Sequence, residues 1–204
     1  MVNVIKTHNL FPTAVQEFEY VAEQKLIDAI REEEIIYYNK KPHYSSRQSV
    51  NNNLMNKKEF ENLRNKILQT TKEVCKFYSY NYEKIDITNL WINFTAKGSI
   101  HNPHSHSNNL LSGVWYPFEN TSNTPIIFID PRQVASVLLP ECNDKNIYNT
   151  SLASFPPNMS RGYIFPSWLM HYVPPSLTDR ISLSWNILLR GNYGNPNELQ
   201  NAHI

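Results

Sequence analysis

From Asp86 to about Arg190 the chain is written in short apolar runs, each interrupted by Asn, Ser, Pro or Gly, and that texture leaves few folds open. Runs of this length rich in Ile, Val, Phe, Trp and Tyr read as strands and their interruptions as turns, the pattern of an antiparallel sandwich or barrel. The predicted strands are Thr88 to Thr95, Leu110 to Tyr116, Ile126 to Asp130, Tyr163 to Phe165, Trp168 to Val173 and Ile181 to Leu189. Ahead of them the period changes. Ala14 to Tyr20 alternates Phe18 and Tyr20 with Glu17 and Glu19 and reads as one more strand. Ala22, Leu26, Ala29 and Ile30 then mark one helix face, and Phe60, Leu63, Ile67, Val74 and Phe77 mark a second. Helices first and strands after describe an α+β, mainly β chain whose helices cover a sheet face. With no repeat and no linker, residues 1–204 are expected to form a single domain, 1–85 as mostly helical support and 86–190 as the β core.

Charge narrows the partners. Lys and Arg number 19 against 18 Asp and Glu, a net charge of +1, so the basic footprint of a nucleic-acid binder is missing. No segment reads as a signal peptide or a membrane span, and the two cysteines, Cys75 and Cys142, lack any metal-type spacing and are expected as free thiols. A reducing cytoplasm is the expected home, and the Asn-x-Ser/Thr sequons at Asn93, Asn120, Asn149 and Asn158 are expected as chance in an Asn-rich chain.

Three of the seven histidines crowd into Ile100-His101-Asn102-Pro103-His104-Ser105-His106. In extended chain, side chains two apart share a face, so His104 and His106 can clamp one ion while His101 points elsewhere. Two imidazoles need a further protein ligand, and His171, in the apolar run Trp168 to Val173 where an unpaired imidazole is costly to bury, is the best candidate. Nine residues on, Asp179-Arg180-Ile181-Ser182 opens another strand. Arg180 and Ser182 face one side of it, and an inward guanidinium on an apolar strand calls for a carboxylate, the signature of a co-substrate anchor.

These elements together resemble the Fe(II)/2-oxoglutarate-dependent oxygenases, whose pattern is His-x-Asp/Glu, a distal His and, nine to eleven residues later, Arg-x-Ser/Thr. The resemblance implies a double-stranded β-helix (jelly-roll) core, Fe(II) at His104, His106 and His171, and 2-oxoglutarate as co-substrate with its far carboxylate on Arg180 and Ser182. It implies O2 as the oxidant, and hydroxylation of a small-molecule or peptide substrate coupled to oxidative decarboxylation of 2-oxoglutarate. Tyr116 matches the co-substrate tyrosine of prolyl-hydroxylase-like members; Ser112, on the same strand face, and Asn93 complete the implied co-substrate set. More closely, the chain resembles an uncharacterised group of small 2-oxoglutarate oxygenases of marine bacteria and their phages, through Leu10-Phe11-Pro12-Thr13, Trp91-Ile92-Asn93, Leu111-Ser112-Gly113-Val114, Asp130-Pro131-Arg132 and Phe165-Pro166-Ser167.

The sequence departs from that pattern at His106, which stands where the family usually has a carboxylate. Three readings compete: a true three-histidine site, a carboxylate from elsewhere such as Asp130, or a degraded site. Gly98 followed by His-x-His also matches half of a cupin motif, so a cupin-type metal protein (three-histidine dioxygenase, isomerase or binding protein) is the alternative, with a non-catalytic β-helix module behind it. Trp168, Met170 and Tyr172 are expected mainly as core, and a homodimer is possible.

Overall fold

The computed structural model describes residues 6–40, 48–119, 123–132 and 137–204. His43 and the sequon at Asn120 lie outside the described residues. Elements in chain order are β1 (Gln16–Glu19), α1 (Gln24–Lys40), α2 (Glu61–Tyr78), β2 (Lys84–Thr95), β3 (His101–His104), β4 (Leu111–Trp115), β5 (Ile126–Ile129), β6 (Leu152–Phe155), β7 (Arg161–Pro166), β8 (His171–Val173), β9 (Arg180–Arg190), β10 (Asn192–Tyr193) and β11 (Ala202–His203). All of the paired strands are antiparallel. A five-stranded sheet runs β1-β7-β4-β9-β2 and a four-stranded sheet β3-β8-β5-β6, with β10-β11 as a small pair near the end of the chain.

Side-chain alternation explains the layering. On the larger sheet Leu90, Ile92, Phe94, Leu111, Trp115, Ile164, Leu183, Trp185 and Ile187 turn to one side and share a buried cluster with Leu26, Ile30, Leu63 and Ile67 of the helices. The intervening residues Val114, Tyr116, Tyr163 and Phe165 turn the other way and pack with Ile126 and Phe128 of the smaller sheet. The two sheets thus face each other, and the helices cover the back of the larger one. The close approach of Trp185 makes Gly113 obligatory, since a Cβ there would lie 2.3 Å from the indole Cζ2.

Both helices bury most of the stripe that periodicity predicts, though Ala22 lies ahead of α1 and is only partly buried. Phe77 is exposed and packs edge-on against Tyr78, because α2 ends immediately after it at Ser79 in the left-handed region (φ 56), whose N–H bonds the Cys75 and Lys76 carbonyls. The strand expected over Trp168 to Val173 begins only at His171. Residues 167–168 form a turn, closed by the Leu169 N–H on the Pro166 carbonyl at 2.9 Å, which leaves Trp168 exposed rather than in the core. Strands β3, β6, β10 and β11 escaped sequence reading; β3 and β6 are almost wholly unburied and β10 and β11 span two residues each, so none carries an apolar alternation. Cys75 is buried, Cys142 is partly exposed, and both are free. No helix among the described residues is long and apolar enough to cross a membrane.

Candidate metal centre

His104 ends β3 and lies directly opposite His171, the first residue of β8, in the antiparallel register. His106 follows in non-strand chain, where its own N–H donates to the Ser167 carbonyl at 2.8 Å and ties this segment to the turn that delivers His171. One ligating nitrogen from each of the three rings lies within 4.8 Å of the others, and His106 Nε2 is 3.4 Å from His171 Nε2. Imidazole nitrogens held at roughly 2.1 Å from one ion can be no more than roughly 4.2 Å apart, so the pair already fits and the trio closes with small side-chain adjustment.

The surroundings set the tautomers. His104 Nδ1 lies 2.7 Å from the Asn102 carbonyl and His171 Nδ1 2.9 Å from the Leu169 carbonyl. A carbonyl only accepts, so each ring keeps its proton on Nδ1 and turns an Nε2 lone pair toward the shared point, as metal-binding imidazoles do. Burial first, and then the neighbouring His104, push the His106 pKa down to about 4, with the Asn186 side chain acting in the opposite direction. His171 is also lowered to about 4, chiefly by burial, against the pull of the Leu169 carbonyl and with help from His104, His106 and His101. Near neutral pH both rings are therefore uncharged and ready to ligate.

The histidines share a pocket with Arg180, which opens β9 opposite Thr95 and is only 6% exposed. Its Nη1 donates to the Thr124 carbonyl at 3.0 Å, its Nε has no partner among the described residues, and no described carboxylate lies within ion-pair distance of it. The guanidinium carbon stands 5.4 Å from the centre of the Tyr116 ring, whose buried hydroxyl likewise lacks a hydrogen-bond partner among the described residues. Burial raises the Tyr116 pKa against the opposing influence of Arg180, so the phenol stays protonated and able to donate. Buried donors without acceptors are costly, and a carboxylate entering here would satisfy both. The residues present fit an iron(II) ion and an acidic chelator.

Of the residues singled out from sequence, His104, His106, His171, Arg180, Ser182, Tyr116 and Asn93 line this one pocket. Asn93 is already engaged there, accepting from Trp91 Nε1 at 3.0 Å and donating to Ser184 Oγ at 2.9 Å. Ser112 is not on the pocket wall; it is buried behind it, bonding Ser167 Oγ and Asn186 Oδ1 at 2.8 Å each. Through Ser167 and Asn186 it braces the surroundings of His106. His101 was expected to point away, yet it lines the pocket, with Nε2 3.1 Å from Thr95 Oγ1 and outside the metal cluster. The pairing of β3 with β8 shifts register between His101 and His104, and that irregularity breaks the parity on which the expectation rested. Asp130 does not complete the cluster: its carboxylate is bound to Arg132 Nη2 at 2.7 Å and Nε at 3.0 Å. Trp91, Ser184 and Asn186 escaped sequence reading, although alternation from Asn93 and Ser182 reaches all three; Trp91 packs its ring 6.1 Å from that of His106.

Comparison with known proteins agrees with this arrangement. Residues 89–186 match the family model described as "Putative 2OG-Fe(II) oxygenase". No curated protein matches the sequence. Among solved structures, a Pseudomonas putida prolyl-4-hydroxylase is similar at a TM-score of 0.59 and 11% identity, covering 88% of this chain and 94% of that one. HygX from Streptomyces hygroscopicus, with nickel and 2-oxoglutarate bound, gives 0.58 and 12% over 87% and 83%. A Trichoplax adhaerens prolyl hydroxylase in complex with a hypoxia inducible factor peptide fragment gives 0.56 and 10% over 85% and 83%. At these identities the likeness is one of fold. Residues 89–186, which hold the three clustered histidines and Arg180, are thus the stretch over which the chain is similar to the 2OG-Fe(II) oxygenases.

Proposed function

We propose that this chain is an Fe(II)- and 2-oxoglutarate-dependent hydroxylase on a double-stranded β-helix, with His104, His106 and His171 as iron ligands and Arg180 as the anchor of the co-substrate's far carboxylate. The observation that carries the reading is one pocket joining three convergent imidazoles from around the smaller sheet to a buried guanidinium on the larger one that has no carboxylate partner among the described residues. Once bound, iron, 2-oxoglutarate and O2 supply oxidative decarboxylation to succinate and CO2, coupled to oxidation of a substrate C–H bond. The chain's own part is positional. Arg180 and Ser182 hold the far carboxylate, Tyr116 donates to the co-substrate from a wall that excludes water, and the Asn102 and Leu169 carbonyls keep two imidazoles in the ligating tautomer.

Two facing antiparallel sheets with non-sequential neighbours support the β-helix assignment, and the helices of the first 85 residues, packed on the larger sheet, support one functional unit. A small-molecule or peptide substrate is supported by a pocket whose lining includes the incompletely buried Gln48, Trp91 and His101, and by a neighbour with a peptide bound. Two free thiols support a reducing, cytoplasmic setting.

Succinate released from 2-oxoglutarate without a prime substrate tests the assignment. His171→Ala should lower the rate at least about a hundredfold, while Arg180→Ala should keep iron and raise the 2-oxoglutarate KM at least about tenfold. Equal succinate formation in wild type and both variants would trace the turnover to adventitious iron.

A further inference from the structure

The pocket's charge inventory is lopsided. Among the described residues that line it, Arg180 is the only permanently charged one, and no Asp or Glu is present. The metal cluster is three imidazoles with no carboxylate among the described residues. A divalent ion entering alone therefore brings two positive charges into a wall that already holds a buried guanidinium, with no carboxylate among the described lining residues to offset either. A dianion entering alone meets one permanent cation, Arg180. Each guest lacks its counter-charge until the other is present.

We infer that metal and 2-oxoglutarate enter this site as a thermodynamically coupled pair, each raising the affinity of the other by at least about tenfold, and that His106 is the residue that sets the coupling. The inference rests on the ligand set proposed above. Its physical root is the imidazole of His106 in the position where a carboxylate would have supplied one negative charge in advance. With a carboxylate there, the ion would be partly neutralised before the co-substrate arrived, and the reciprocal gain would shrink. The position is well prepared for the exchange: the main chain is fixed by the Ser167 carbonyl, and Ser112, Ser167 and Asn186 form a buried hydrogen-bonded frame around it. The consequence is regulatory, since metal occupancy at a given metal concentration rises with the supply of 2-oxoglutarate.

The test is calorimetric titration of the full chain with Mn(II), which needs no anaerobic handling, in the absence and presence of saturating 2-oxoglutarate. The wild type should bind Mn(II) at least about tenfold more tightly with the co-substrate present, and the reverse titration should give the same factor. His106→Asp should bind Mn(II) more tightly than wild type when 2-oxoglutarate is absent and show a smaller factor when it is added. A second measurement needs no substitution: pyruvate, which offers the same keto-acid chelate with one charge fewer, should tighten Mn(II) binding by a smaller factor than 2-oxoglutarate does. A wild-type affinity indifferent to 2-oxoglutarate, an undiminished factor in His106→Asp, or equal effects of pyruvate and 2-oxoglutarate would overturn the inference while leaving the ligand set standing. Mn(II) binding unchanged in His104→Ala and His171→Ala would overturn the ligand set itself, and the coupling with it.

Discussion

At the scale of single residues, the two buried imidazoles make the metal-free protein acid-sensitive in a defined window. His106 and His171 sit at about 4 in the folded chain, and a histidine in an unfolded chain sits near 6.5. Between those values the unfolded chain holds more protons than the folded one, so the contribution is complete above about pH 6.5 and is lost as pH falls toward 4. Urea midpoints of the metal-free protein should therefore drop between pH 7 and 4, and the drop should be shallower in His171→Gln; parallel profiles would show that this ring is not held neutral by the fold. These residues were legible in sequence for different reasons. His171 and Arg180 could be read because an imidazole and a guanidinium in apolar strands each demand a partner. His101 could not be placed, since its orientation depends on a register shift that leaves no mark in the residue pattern. Ser112 was placed on the right strand face, but which polar groups it would meet is decided by Ser167 and Asn186, residues 55 and 74 positions away.

At the scale of elements, β4 and β9 are the frame on which the site hangs. Their register sets Gly113 against Trp185 and Ser112 against Asn186, so one pair fixes the packing on the helix side and the next fixes the polar frame on the pocket side. Gly113→Ala drives a methyl into the Trp185 indole and should cost about 1–3 kcal/mol, read as a lowered thermal midpoint. Combining it with Trp185→Phe should recover part of the loss, because the smaller ring gives way; additive losses would mean that the two sites do not press on each other. The strands of this sheet could be read from alternation because one face is packed against apolar helices. The smaller sheet was harder to read, since β3 and β6 bury almost nothing, and the run Trp168 to Val173 looks like one strand although its first half is the turn that presents His171.

At the scale of the whole molecule, the pocket between the two sheets collects three clustered imidazoles from the smaller sheet's side and a buried arginine from the larger. Neither half would specify the chemistry alone: three imidazoles fit several metals, and a buried arginine fits any carboxylate. Their meeting in one cavity is a property of the topology, which brings residues 104–106, 171 and 180 together from separate strands and loops. The order of strands along each sheet follows from long-range pairing, and local residue patterns do not contain it. The most direct test of the account is anaerobic addition of Fe(II) and 2-oxoglutarate to the metal-free protein, followed by visible absorption. The account predicts a charge-transfer band that requires all components, weakens in Arg180→Ala and vanishes in His171→Ala; iron-loaded protein that develops no band with 2-oxoglutarate, or a band that survives intact in His171→Ala, would contradict it.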